Sequence, residues 1–493
     1  MEYTELADYP LPAGSLTAWE PTAPNDAWAR DERRLSYTHV AHARRAAAEG
    51  DAWYSQWIGT AFLIEQPLDA AALRAAVIRW YERHEAFRTS VVITENDTAD
   101  DPHRITLPAD TVTVADRSLG ESLSSTQVFE IMNEYFNTTI TPLRWPHCVA
   151  VTVDLADRDD AFLLVFAADH TVMDAYAQVF AIKELTALYT AARTGDPDGL
   201  ADFGSYVDFS HAERTAGEQI AENDAAVAGW SRFFSTADPH GTQPMPMPGF
   251  PALLDDRRLD DPAIAATRVP EGGYQATLSS WLLDAAATQA FNDVCKDAGA
   301  NMQAGIHTAL SITARRLTGS GELRFLNPIH TRTEMRWGEA AGWFVGIIPV
   351  HLRPGDAQTF REAIRTVADS AAEYRAVGAA PFAPIADLIG GDTTPPGLVI
   401  SYIDLRHAEG AAEWDARRAR VLRSATRMAD EVYFWINRVP AGTNISSRFP
   451  TGATADAVHT FITTFHQVLE QVIADGDVGF ETESPAAERS FSS

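Results

Sequence analysis

Phe162-Leu163-Leu164-Val165-Phe166-Ala167-Ala168-Asp169-His170-Thr171-Val172-Met173-Asp174-Ala175 is the stretch on which the reading of this chain turns. The run from Ala161 to Ala168 is apolar without a break, the pattern of a strand covered on both faces. It stops at a short polar turn that carries His170, with Asp174 four residues on. From Ala175 to Arg193, apolar Val179, Ile182, Leu185 and Tyr189 recur at three- and four-residue steps, which predicts a helix. A buried strand that delivers a histidine to its own end fixes the backbone, and the turn presents the imidazole, so the arrangement suits a general base. A plainer reading covers the same residues: a histidine satisfied by a neighbour, and an aspartate that caps the helix. Of the fourteen histidines, His170 alone has an aspartate four residues later. The pair by itself is weak, and its setting carries the argument.

A chain of 493 residues has room for two or three domains with full cores. Its 46% hydrophobic and 22% charged residues are those of an ordinary globular protein. A net charge of −29 argues against nucleic-acid or anionic-membrane partners, which need basic surface. Two cysteines, Cys148 and Cys295, cannot form a disulfide framework and read as reduced core residues. No cysteine or histidine cluster suggests structural zinc. The acidic N-terminus does not read as a signal peptide, and no apolar run reaches membrane-spanning length. A cytoplasmic protein is expected. The absence of a glycine-rich dinucleotide fingerprint and of a P-loop turns the search away from redox cofactors and nucleotide hydrolysis.

Leu68 to Ser90 reads as a helix with Leu73, Val77, Trp80 and Tyr81 on its apolar face, running into an exposed turn at Arg83–Thr89. Val149–Leu155 and Ala161–Ala168 read as antiparallel strands joined by the acidic turn at 157–160. Residues 236–273 lose periodicity and fill with Pro, Gly and Asp, as in a long connection or lid. Helices are predicted at Leu282–Ala298, Met302–Leu317 and Thr451–Ile473. Strands are predicted at Glu322–Asn327, Trp343–Leu352, Gly397–Ile403 and Val432–Arg438. The expected division is an N-terminal domain at 1–220, a C-terminal domain at 221–480 that includes the connection, and a disordered polar tail at 481–493.

Several separated motifs now stand in a recognisable order. They are Leu35-Ser-Tyr-Thr-His39, Arg83-His-Glu-Ala-Phe-Arg88-Thr89, Asp169-His170-Thr-Val-Met-Asp174-Ala175, Tyr206-Val-Asp208-Phe209, Gly342-Trp343-Phe344-Val345-Gly346 with Pro349, and Ser401-Tyr402-Ile-Asp404-Leu-Arg406. Together, over roughly residues 13 to 475, they resemble the condensation-domain superfamily, and within it the free-standing polyketide-associated acyltransferases. The resemblance implies an α+β fold of two chloramphenicol-acetyltransferase-like lobes, mixed sheets with helices packed on them, forming a V with a central channel. Two departures stand out. The motif His-His-x-x-x-Asp-Gly has Asp169 for its first histidine and Ala175 for its glycine, so the turn must be built without glycine's easy access to positive φ.

The implied chemistry is acyl transfer from a thioester, acyl-coenzyme A or an acyl-carrier protein, to a hydroxyl or, less readily, an amine. The products would belong to lipid, polyketide or other natural-product biosynthesis. His170 is the general base; free imidazole titrates near ~6.5, poised for neutral pH. Asp174 pairs with an arginine from the second lobe, here Arg332, and so aims His170. Asp169, Ala175, Trp343, Ser401 and Tyr402 are candidates for the substrate channel, with core packing an open alternative for Trp343. N–H groups at the start of the following helix are candidates for stabilising an oxyanion. The basic cluster Arg417, Arg418, Arg420, Arg423 and Arg427 either receives donor phosphates, chiefly through Arg417, Arg420 and Arg423, or forms a solvated helix face paired with Glu413 and Asp415. No metal and no cofactor beyond the thioester co-substrate is expected, and a monomer is the default. Two other functions stay open: a condensation enzyme joining carrier-bound substrates by an amide or ester, and a non-catalytic relative that docks a carrier.

Overall fold

The computed structural model describes residues 2–50, 53, 55–93, 102–235, 273–390, 397–427 and 431–481. The expectations for the Pro- and Gly-rich connection and for the polar tail therefore fall almost wholly outside the described residues. The chain packs as two compact units. Met1–Ile220 joins His330–Val345 and Leu405–Thr426 in the first; Ala221–Ile329, Gly346–Asp404 and Arg427–Ser493 make the second. The second half of the sequence thus sends two segments into the first unit, in addition to the boundary near 220.

The first unit is built on a seven-stranded mixed sheet. Its order is Tyr3–Glu5, Arg420–Arg423, Ile58–Ile64, Phe162–Ala168, Cys148–Leu155, Gly14–Thr22 and Thr113–Leu123. All neighbours are antiparallel except Tyr3–Glu5 on Arg420–Arg423. Phe162–Ala168 is the central strand, and every one of its residues is buried. The unbroken apolar run follows from that position. Leu163, Val165 and Ala167 face one core with Val149, Val151, Leu16, Trp57, Met132 and Phe136. On the other face Phe162 meets Tyr189 at 5.2 Å and Phe166 meets Trp80 at 5.2 Å. These two partners lie on the helices Ala175–Thr194 and Ala70–Arg83. Strand alternation thus sends successive side chains into two separate apolar layers. A small sheet of Ala29–Asp31, His103–Thr106 and Thr89–Val92 completes the strands of this unit.

The second unit carries a six-stranded mixed sheet: Ala276–Asp284, Gly442–Phe449, Val432–Val439, Leu398–Asp404, Leu323–His330 and Val345–Leu352. The helices Ala285–Asp297, Met302–Thr318, Phe360–Ala372 and Ala453–Asp475 belong to the same unit. Mixed sheets with helices match the expected α+β class. The predicted helix at Leu282 begins only at Ala285, capped by Asp284; the residues before it are strand. Among the described residues no helix is long and apolar enough to cross a membrane.

Candidate active site

The central strand ends at Ala168 and the chain turns at once. Asp169 opens a single 3₁₀ turn, His170–Val172, and its carboxylate accepts from the Thr171 N–H at 2.9 Å and the Thr171 hydroxyl at 2.7 Å. The Asp169 N–H donates to the His147 carbonyl at 2.7 Å, which ties the turn to the neighbouring strand. Met173 and Asp174 are extended, and the helix starts at Ala175. Ser122 and Arg418 are the non-glycine residues with positive φ among those described, so the turn needs no left-handed residue. That explains how Ala175 can stand in the glycine position.

His170 is half-buried. Its imidazole stacks on the Trp343 indole, centroids 4.2 Å apart and planes at 24°. Burial holds the His170 pKa below its ordinary value; contact with its own backbone and the carboxylates of Asp174 and Asp169 only partly offset this. The ring is therefore neutral at neutral pH, the form that accepts a proton.

Asp174 has a different task. Its side chain is buried and satisfied on all sides. One oxygen accepts from the Ala177 N–H at 2.9 Å, capping the helix. Arg332 grips both oxygens, Nη1 at 2.6 Å and Nη2 at 3.0 Å, and the Phe344 N–H adds a bond at 3.0 Å. The Arg332 fork also donates to the Ala340 carbonyl at 2.9 Å and lies over the Phe344 ring at 4.3 Å. The pairing expected for these two residues is present. Arg332 comes from the second half of the sequence but packs within the first unit. The Ala177 N–H is taken by this cap, so it is not among the donors that the helix start can offer an oxyanion.

A further layer pins the segment that carries Trp343. The Ala341 N–H donates to His84 Nδ1 at 3.1 Å, which leaves the proton of a neutral His84 ring on Nε2. Nε2 lies 2.6 Å from Glu184, which also accepts from Arg83 at 2.6 Å and Trp80 at 2.9 Å. Burial pushes the Glu184 carboxyl up, but His84 and Arg83 outweigh it and hold it below the usual range. The Arg83–Thr89 turn is thus not exposed as predicted: His84, Ala86, Phe87 and Arg88 are buried because the turn carries a structural network. Arg33 joins that turn to the Tyr206 motif, reaching Glu85 at 2.7 Å and Asp208 at 2.8 Å. Gly342 packs so tightly on the Tyr206 ring that a Cβ there would sit 2.2 Å from it.

Four of the six motifs therefore lie in the first unit, together with residues 342–345 of the fifth, whose Gly346 and Pro349 belong to the second. Ser401 and Tyr402 belong to the strand Leu398–Asp404 of the second unit, paired with Trp435 and Ile436. The arginine cluster is not a helix face. Arg420 to Arg423 is a strand, Arg417 pairs with Glu413 at 2.9 Å, Arg420 lies 3.6 Å from both Glu2 and Asp415, and Arg423 is buried. The helix-face alternative rested on i,i+4 spacing, which an isolated turn at Ala411–Glu413 reproduces for one pair, Glu413 and Arg417. His42, Glu184 and Ala341 were not foreseen. The only signal for His42 was its position three residues after His39.

Residues 48–394 match the condensation domain, and the match extends over most of the chain. The chain belongs to the condensation-domain family. Acyltransferase PapA3 of Mycobacterium tuberculosis is 24% identical over 352 residues, 70% of this chain and 70% of its relative. The 2'-acyl-2-O-sulfo-trehalose (hydroxy)phthioceranyltransferase PapA1 of the same species is 26% identical over 415 residues, 82% of this chain and 75% of that one. Among solved structures, PapA2 acyl transferase superposes with a TM-score of 0.78 at 19% identity, covering 96% of this chain and all 100% of that one. The first condensation domain of the calcium-dependent antibiotic synthetase gives 0.64 at 15% identity, over 91% and 98%. These likenesses establish the chloramphenicol-acetyltransferase-like fold of the family.

Proposed function

We propose that this protein is an acyltransferase that moves an acyl group from a thioester, acyl-coenzyme A or an acyl-carrier protein, to a hydroxyl acceptor in lipid or natural-product biosynthesis, with an amine as the lesser alternative. The observation that carries the reading is the division of labour at the turn. Asp174 is fully engaged with Arg332, Phe344 and its own helix, while His170 is held neutral by burial and stacks face to face on Trp343, a contact made by the ring face and not by the in-plane lone pair that accepts a proton. The names of the relatives point the same way, since PapA3 and PapA1 are named as acyltransferases.

In the proposed reaction His170 takes the hydroxyl proton as the acceptor oxygen attacks the thioester carbonyl carbon. The tetrahedral intermediate then expels the thiolate, the C–S bond breaks, and the imidazolium returns the proton to sulfur. No serine or cysteine nucleophile is needed. Arg417 and Arg420 keep partly exposed guanidinium groups, which suits them to donor phosphates better than buried Arg423.

The test incubates the purified protein with acyl-coenzyme A or a loaded carrier and a panel of alcohols and amines, and follows product by mass. Ester formation should fall by about 10²–10⁴-fold in His170→Ala with the fold retained. Full activity in that variant would refute the assigned base. Amide products from two carrier-bound substrates would instead favour condensation, and carrier binding without turnover a docking role.

A further inference from the structure

Position 169 is one of the two places where the sequence departs from the motif of the family it resembles, and the structure gives that departure a partner. Asp169 is buried. Its Oδ1 is held by Thr171, and its Oδ2 lies 3.5 Å from His42 Nε2. His42 is itself buried and comes from a distant element, the helix Tyr37–Glu49. Its ring stands edge-on to Trp343, centroids 5.5 Å apart at 90°, and edge-on to Trp53 at 5.2 Å. Trp343 is the residue stacked on His170. Four side chains thus close a circuit: Asp169 to His42, His42 to Trp343, Trp343 to His170, and one peptide bond back to Asp169.

We propose that His42 is a positioning residue for His170, anchored by the Asp169 carboxylate and acting through Trp343. A ring packed perpendicular to its neighbours needs one fixed end, and a buried anion supplies it. A histidine at 169 would offer His42 no charge. The circuit also sets the charge near the His170 ring, because the Asp169 carboxylate favours its imidazolium while His42 acts against it. Other titratable groups facing the pair are His39 on the helix of His42, His147 beside Asp169, Arg104 near His39, and Asp174 near His170. Burial pushes the Asp169 carboxyl up, yet His42, His147 and Thr171 reverse this and hold it well below the usual carboxylate range, so the anchor stays charged.

The first measurement follows the His170 ring by NMR in protein isotope-labelled at histidine, assigned by the loss of its signal in His170→Gln. Wild type, Asp169→Asn and His42→Gln are titrated, each shown folded by thermal melting. The His170 midpoint should fall in Asp169→Asn and rise in His42→Gln, by about half a pH unit each. The first change deletes the carboxylate that raises the His170 midpoint; the second deletes the ring that lowers it. Midpoints that do not move, or that move together, overturn the inference. If Asp169→Asn does not fold, the sign of the His42→Gln shift decides alone.

The rate consequence rests on the acyl-transfer reading. In His42→Gln, kcat rather than KM should fall, by about tenfold. Trp343→Leu should absorb this loss, so that the double variant is no slower than Trp343→Leu alone; losses that multiply overturn the route through Trp343. Midpoints that shift as expected in a protein that transfers no acyl group would defeat the enzymatic reading and leave the circuit standing. Transfer with unmoved midpoints would do the reverse.

Discussion

His170 and Asp174 are four residues apart and solve opposite problems. Burial keeps His170 neutral, so the base form is complete at neutral pH and is lost only in acid. The sign follows directly: kcat/KM for acyl transfer should rise with pH through a midpoint below the ordinary ~6.5 of imidazole and then stay flat. A pH–rate profile with its acid limb above that value would contradict the role of burial. Asp174 must stay paired. Its side chain is 1% exposed and that of Arg332 is 5%, so Asp174→Ala leaves a guanidinium buried without its counter-ion and a helix without its cap. The expected loss is about 3–5 kcal/mol, read by denaturant unfolding. Arg332→Lys keeps the charge but loses the two-pronged grip and the bond to the Ala340 carbonyl, so it should recover only part of that stability.

At the scale of elements, the segment His330–Val345 matters most, because it brings Arg332 and Trp343 to the turn after the central strand. Between its strand ends His330 and Val345 it has no regular structure beyond one 3₁₀ turn at Met335–Trp337 and is held by specific contacts: Arg332 to Asp174, Ala341 to His84, Gly342 against Tyr206. Gly342 has φ of +156°, and the Tyr206 ring occupies the place of a side chain. Gly342→Ala should therefore destabilise the protein by about 1–3 kcal/mol and lower kcat by displacing Trp343. Unchanged melting and rate would show that Tyr206 yields freely. The sequence made the strand–turn–helix legible because a fully buried strand and a long amphipathic helix both write strong patterns. It also made the Asp174–Arg332 pair available through motif order. Pairings over long range left no such trace. Nothing in Tyr3–Glu5 or Arg420–Arg423 announces that these strands will lie side by side, and two leucines at the end of Ala276–Asp284 read as the start of the helix that follows. His42 was invisible for the same reason: its meaning lies in Asp169 and Trp343, which only the fold brings to it.

For the whole molecule, buried ionisable groups set how stability responds to acid. His39, His147, His170, His307, His330, His351 and His459 are all held below the ordinary histidine value, with burial the largest cause in each, and His307 is pushed down to about 4. Below ~6.5 the unfolded chain takes up protons that the folded chain refuses, so stability should drop as pH falls from about 6.5 toward 5. Bulk carboxylates scarcely titrate in that window, so the repulsion behind the net charge of −29 does not reverse the trend. Glu213 works in the other direction. Its carboxylate accepts one long bond, 3.4 Å from the Tyr37 N–H, and burial lifts its pKa to about 7. The folded chain therefore holds this proton more tightly than the unfolded chain, and the group costs stability as pH rises through 7. Glu213→Gln, which cannot ionise, should raise the melting temperature relative to wild type at about pH 8 and bring no such gain at about pH 5. Paired thermal melts across that range read the difference. A gap of equal size at both ends would mean that the Glu213 carboxyl never carries a buried charge, and would move the cause of any stabilisation from ionisation to packing.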